Sequence, residues 1–159
     1  MQVAIIMGSA SDKEIARKAA QTLREYQVPF VARVLSAHRT PEETRAAVRE
    51  YEQGGVGVII AMAGMAAHLA GAVAAQTVLP VIGVPLTSGG LGGMDALLST
   101  VQMPGGIPVA TVAVNGGRNA ALLAIQILAL QDPQLKDRLQ QARENMRQDV
   151  LKADSELSI

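Results

Sequence analysis

The chain has 159 residues, 49% of them hydrophobic and 18% charged, and its 14 basic and 14 acidic side chains cancel to a formal net charge of +0. That length and apolarity fit a single domain (residues 1–159) with a sizeable core and exclude a disordered polymer. The balanced charge offers no field for nucleic acid or an anionic membrane surface, so an anionic ligand would have to be held by local geometry. There is no cysteine, which excludes disulfides and thiolate chemistry. With only two histidines, His38 and His68, no metal site is expected. Tyr26, Phe30 and Tyr51 are too few aromatics for a base-stacking surface. No signal-peptide pattern precedes the first apolar run, and Gly, Pro and His interrupt every long one. A cytoplasmic protein without membrane spans is the expectation.

The elements alternate. Val3 to Met7 is a short β-type run, followed by MGSASD and a helical spacing over residues 11–27 with Ile15, Ala19 and Leu23 on one face. Phe30 to Leu35 reads as a second strand. It runs into SAHRTP and a helix over 40–55, which starts with Thr40 as N-cap, Pro41 in the first turn and Glu43 completing a capping box. Val56 to Ala61 is a third strand, and the small apolar stretch 65–77 reads as a buried helix. Residues 79–86 form a fourth strand, 88–103 a glycine-rich loop and helix, and 107–114 a fifth strand. The apolar helix 119–130 predicts a covered position, against another subunit or beneath the tail. The tail, 131–159, is expected to be helical to about Lys152 and to pack on neighbouring subunits. This order predicts an α/β protein: a three-layer α/β/α sandwich around a parallel, flavodoxin-like sheet of about five strands, with a C-terminal helix.

In such sheets ligands bind beyond the carboxyl ends of the strands, which gathers MGSASD, SAHRTP and AGMAAHLAG at one edge. In the first, Gly8 allows close backbone approach, and Ser9 and Ser11 beside free helix N–H groups suit an anion. Asp12 suits a sugar hydroxyl; the plainer alternative is that Ser11 or Asp12 only caps the helix. In the second, Arg39 suits a phosphate and His38 suits proton transfer near neutral pH, against the alternative of a solvated surface loop. In the third, Ala63 and Gly64 let a flat ring approach the backbone, and His68 taken alone reads as a core or interface histidine. TSGGLGGMD is either a connection or a mobile cover.

Taken together, MGSASD, SAHRTP, AGMAAHLAG, LPVIGVP, GMDALLSTVQMPGGIPVATVAV and NAALLAIQILAL resemble the bacterial N5-carboxyaminoimidazole ribonucleotide mutase family of purine biosynthesis. The same family is described as the catalytic subunit of phosphoribosylaminoimidazole carboxylase. The resemblance implies a three-layer α/β sandwich assembled as a homo-octamer. It also implies an isomerase that moves a carboxylate from the exocyclic nitrogen of an aminoimidazole ribonucleotide to ring carbon C4 by decarboxylation and recarboxylation. No cofactor and no metal are implied. The substrate is a small ribonucleotide, and the reaction allows functional coupling to the ATP-dependent carboxyaminoimidazole ribonucleotide synthase.

By position, the resemblance makes His38 the proton shuttle. Ser9, Ser11 and Arg39 would hold the phosphate and Asp12 the ribose. Ser36, Ala63, Gly64 and Leu69 would surround the base and carboxylate, and His68 would support from the edge. Lys13, Met62, Met65 and Ala70 stand where the family commonly has Trp, Gly, Gly and Pro. Rival expectations are a carboxylase using free CO2, a related enzyme acting on a nicotinate-type nucleotide, a non-catalytic nucleotide-binding module, and a structural oligomer. Arg39-Thr40-Pro41, Gly83-Val84-Pro85 and Gln102-Met103-Pro104 favour the mutase over the carboxylase branch.

Overall fold

The computed structural model describes residues 1–158. Strands β1 (Gln2–Met7), β2 (Phe30–Val34), β3 (Val56–Gly64), β4 (Val81–Leu86) and β5 (Ala110–Thr111) form one sheet in the order β2-β1-β3-β4-β5. Every pairing is parallel. Helices α1 (Lys13–Glu25), α2 (Pro41–Gln53), α3 (Leu69–Ala74), α4 (Met94–Val101), α5 (Gly117–Leu128) and α6 (Pro133–Ser155) connect and flank it. This is the flavodoxin-like α/β sandwich that the alternation predicts. Among the described residues no helix is long and apolar enough to cross a membrane.

Strand periodicity builds two cores. In β1, Val3, Ile5 and Met7 face one side, and Ala4 and Ile6 the other; all five are buried. Val58, Ile60 and Met62 of β3 join the first side, where α1 and α5 cover them. Ile59 and Ala61 join the second side, under α2 and α3. Strands covered on both faces read as continuous apolar runs, as these do. Tyr51 closes the second core from α2, where burial pushes its hydroxyl above its ordinary value against the opposing pull of Arg33.

Three details differ from the sequence reading. Helix α3 starts at Leu69, not near Met65. Met65 takes a left-handed conformation (φ 55°), and two tight turns follow, from Ala67 N–H to Met65 O and from His68 N–H to Ala66 O. These hold residues 65–68 out of the helix. Strand β5 spans two residues, not eight. Pro85 of its neighbour has no N–H to donate, and beyond Thr111 the chain keeps only Val112 N–H to Gly83 O and Asn115 N–H to Pro85 O.

The third difference is at α2, whose expected capping box does not form. Thr40 makes no side-chain cap, because its hydroxyl accepts from Ser36 N–H (2.8 Å) and donates to Ser36 O (3.1 Å). The reciprocal cap lies instead in the turn Ala10–Asp12 ahead of α1. There Ser9 Oγ accepts from Ser11 N–H (3.4 Å) and Asp12 Oδ2 accepts from Ser9 N–H (2.9 Å). Helix α5, by contrast, meets the second of its two expectations and is covered within its own chain, beneath the tail. Ala120, Ala121, Ala124 and Ile125 are fully buried against α1 and the sheet, and Leu135 and Leu139 of α6 complete the cover.

Candidate active site

The carboxyl ends of β1, β2, β3 and β4 open into one cleft of about 530 Å³. It is lined by all ten residues singled out in the sequence: Ser9, Ser11, Asp12, Ser36, His38, Arg39, Ala63, Gly64, His68 and Leu69. Strand register explains the convergence. Met7 pairs with Val34 on one side and Met62 on the other, so the three chains leave the sheet at nearly the same height.

The β2–α2 loop is tied to itself. Besides the two Thr40 bonds, Arg39 N–H donates to Ser36 Oγ (3.2 Å). Arg39 then reaches across to β1, where Nη2 donates to Gly8 O (2.9 Å). Among the described residues Arg39 forms no salt bridge. A guanidinium has five N–H donors, so Arg39 keeps capacity for an anion. Ser11 Oγ donates to Asp12 Oδ1 (3.0 Å), which turns Ser9, Ser11 and Asp12 into one connected group at the end of β1. The helix-cap alternative is therefore met in part: Ser9 and Asp12 do cap. An ionised carboxylate has about four acceptor positions, however, so Asp12 can still take a sugar hydroxyl.

His38 projects from the apex of its loop toward the β3–α3 loop. Its ring lies 5.4 Å from that of His68, tilted by 59°. The tight turns at 65–68 leave His68 exposed at the head of α3, so the core-histidine alternative does not hold. Gly8 needs no special backbone conformation, and a Cβ there would meet only ordinary contacts, the nearest 3.5 Å away. Its expected role in close approach reduces to leaving the floor of the cleft open. Met62 is fully buried in the first core, so its bulk never enters the cleft. Met65 is 61% exposed at the cleft's rim.

A left-handed conformation costs a non-glycine residue about 1–2 kcal/mol. The glycine variant gives back part of that gain through a freer unfolded chain. Met65→Gly is expected to raise stability by about 0.5–1 kcal/mol. Denaturant midpoints at equal protein concentration check it, and a lower midpoint contradicts it.

Sequence reading missed Ser88, which lines the cleft from the end of β4. The signal was available: the rule that gathers the loops after β1, β2 and β3 applies equally to the loop after β4.

A parallel sheet in this order, with serines, a histidine and an arginine free of salt bridges among the described residues over its carboxyl edge, offers groups that suit a phosphate-bearing small molecule. Comparison with known proteins narrows that class. The AIR carboxylase family model matches residues 2–149. N5-carboxyaminoimidazole ribonucleotide mutase of Saccharolobus solfataricus is 54% identical over 150 residues, covering 94% of this chain and 95% of that protein. The protein of the same name from Bacillus subtilis is 51% identical over 157 residues, covering 98% and 97%. The crystal structure of Treponema denticola PurE superposes with a TM-score of 0.92 at 33% identity, covering 99% of both chains. The chain belongs to the AIR carboxylase family.

Proposed function

We propose that this chain is an N5-carboxyaminoimidazole ribonucleotide mutase acting in purine biosynthesis, converting its substrate to 4-carboxy-5-aminoimidazole ribonucleotide. The observation that carries the reading is that His38 lines one cleft together with Ser9, Ser11, Arg39, Ala63 and Gly64. Arg39 reaches Gly8 O at the end of β1 and forms no salt bridge among the described residues, and Gly8 N–H in turn donates to Met62 O beside Ala63. The names of the curated relatives support the same reaction.

The residues take these roles. Arg39, Ser9 and Ser11 hold the phosphate, and Asp12 accepts from the ribose hydroxyls. The base then lies toward Ser36, Ala63, Gly64 and Leu69, within reach of His38. The N–CO2 bond breaks, its electron pair stays on nitrogen, and a proton from His38 makes the amine. The enamine-like C4 attacks the released CO2 to form the new C–C bond. His38 then takes the C4 proton, and the ring regains its aromaticity. Atoms and protons balance, since the reaction is an isomerisation and His38 ends as it began. His68 supports the base from the side. A proton-transfer group serving in both directions contributes about 10²–10⁴-fold.

Ultraviolet absorbance tests the reading, with the purified protein and no added bicarbonate. Interconversion of the two carboxylated isomers is the expected result. Turnover that requires added bicarbonate would assign the chain to the carboxylase reaction instead. Binding without turnover would leave a nucleotide-binding module.

We read the protein further as a cytoplasmic homo-oligomer, an octamer by family likeness, with 1–159 as one domain and the tail docking on neighbours. Two apolar faces support association. Met94, Leu98 and Val101 line one side of α4 and are 56%, 53% and 47% exposed. Helix α6 continues its packed start, Leu135 and Leu139, into exposed Met146 and Val150 at helical spacing. A Met146→Glu, Val150→Glu double variant is expected to shift the solution mass, by light scattering, to a smaller species. An unchanged mass contradicts a role for α6 in assembly.

A further inference from the structure

We infer that the Ser88 hydroxyl is a substrate contact, donating a hydrogen bond to the carboxylate that the enzyme moves; this rests on the reading of the cleft above. Ser88 Oγ is screened from solvent and, among the described residues, has no hydrogen-bond partner. A buried hydroxyl left unpaired is costly and uncommon, and it calls for a partner that is absent from the free protein. Capping does not account for it. Ser88 precedes the short turn Gly89–Leu91 with extended backbone (φ −150°, ψ 147°), yet its side chain caps nothing.

The hydroxyl lies instead over Gly64, the last residue of β3. A Cβ at residue 64 would collide with Ser88 Oγ and come within 2.9 Å of Ser88 Cβ. Gly64 is thus the residue that makes room for this hydroxyl at the cleft floor. The preceding residue is clamped: Thr87 N–H donates to Asn115 Oδ1 (3.0 Å), and Asn115 Nδ2 donates to Thr87 Oγ1 (2.9 Å). Asn115 holds a left-handed conformation (φ 58°) to do this. The end of β4 therefore presents Ser88 from a fixed base, which is how a contact residue is preorganised.

Its place in the sheet selects the carboxylate. The order β1-β3-β4 sets the end of β4 two strand spacings, roughly 10 Å, from the serines after β1. With the phosphate at β1 and β2, the ribose and ring run across β3, and the far substituent of the base reaches β4. In the substrate and in the product that substituent is the carboxylate. A hydroxyl donor there holds CO2 in line with both nitrogen and C4 after the first bond breaks.

The test compares two ligands on the wild type and Ser88→Ala: 4-carboxy-5-aminoimidazole ribonucleotide and the same ribonucleotide lacking the carboxylate. A hydrogen bond to a charged group predicts that Ser88→Ala weakens the carboxylated ligand by about 10–100-fold. The uncarboxylated ligand should change less than about twofold, since it makes no such bond. Ser88→Cys, a poorer donor of similar shape, should behave like Ser88→Ala. The thermal midpoint of Ser88→Ala should equal or exceed that of the wild type, because the hydroxyl has no partner among the described residues to lose and its removal relieves an unpaired buried group. Equal weakening of both ligands, or of neither, overturns the inference while the reading of the cleft stands. A wild type that binds neither ligand overturns that reading and this inference with it.

Discussion

His38→Asn is expected to lower turnover by about 10²–10⁴-fold while leaving ligand binding within a few-fold of the wild type. Asparagine keeps a polar group of similar reach and removes the capacity to give and retake a proton. The surrounding structure does not lean on the imidazole: the loop is held by Ser36, Thr40 and the Arg39 bond to Gly8 O. A folding defect is therefore not expected, and kcat should fall far more than KM rises. Steady-state rates in both directions check this, and they should fall together because one group serves both. Near-normal kcat in the variant would remove His38 from the chemistry and turn attention to His68, 5.4 Å away.

Gly117→Ala is expected to destabilise the fold by about 1–3 kcal/mol. Gly117 opens α5 and is buried against α1, where an added Cβ would stand 2.5 Å from Ile15 O and 2.8 Å from Ile15 Cγ2. The first of these is a backbone atom, so relief requires the two helices to part. They cover one face of the sheet together, and parting them loosens Ala16, Ala19, Ala120 and Ala124 as a group. At roughly 2–4 °C per kcal/mol for a chain of this size, the thermal midpoint should fall by several degrees at equal protein concentration. Gly90→Ala is the matched control, since a Cβ there meets nothing within 4 Å. Equal midpoints for the two variants would contradict the close α1–α5 contact.

These two residues illustrate what a sequence discloses. His38 was legible because its neighbours, a strand end before it and a helix start after it, are local signals. The tight α1–α5 contact at Gly117 was not, because Ile15 is remote in sequence and nothing near either residue announces the pairing. The same division holds elsewhere. The alternation of β1, β3 and β4 with their helices followed from apolar spacing alone. The brief β5 depended on Pro85 of its neighbour, the late start of α3 on the backbone of Met65, and the lost cap at Thr40 on competition from Ser36. Tertiary geometry decided each of these. The convergence of Ser9, Arg39 and Gly64 was predictable because one topological rule covers all three strand ends. Ser88 fell under the same rule, although its hydroxyl's position over Gly64 appears only in three dimensions.

In the reaction proposed above, the carboxylate leaves nitrogen and reaches C4 without exchanging with the solution. This retention is tested most directly by supplying substrate labelled with carbon-13 in its carboxylate, in buffer containing unlabelled bicarbonate, and reading the label in the product. A mutase with a closed site predicts product that keeps most of the label, whatever the bicarbonate concentration. Product whose label falls to the level of the medium would contradict the account and make the chain a carboxylase that draws on free CO2.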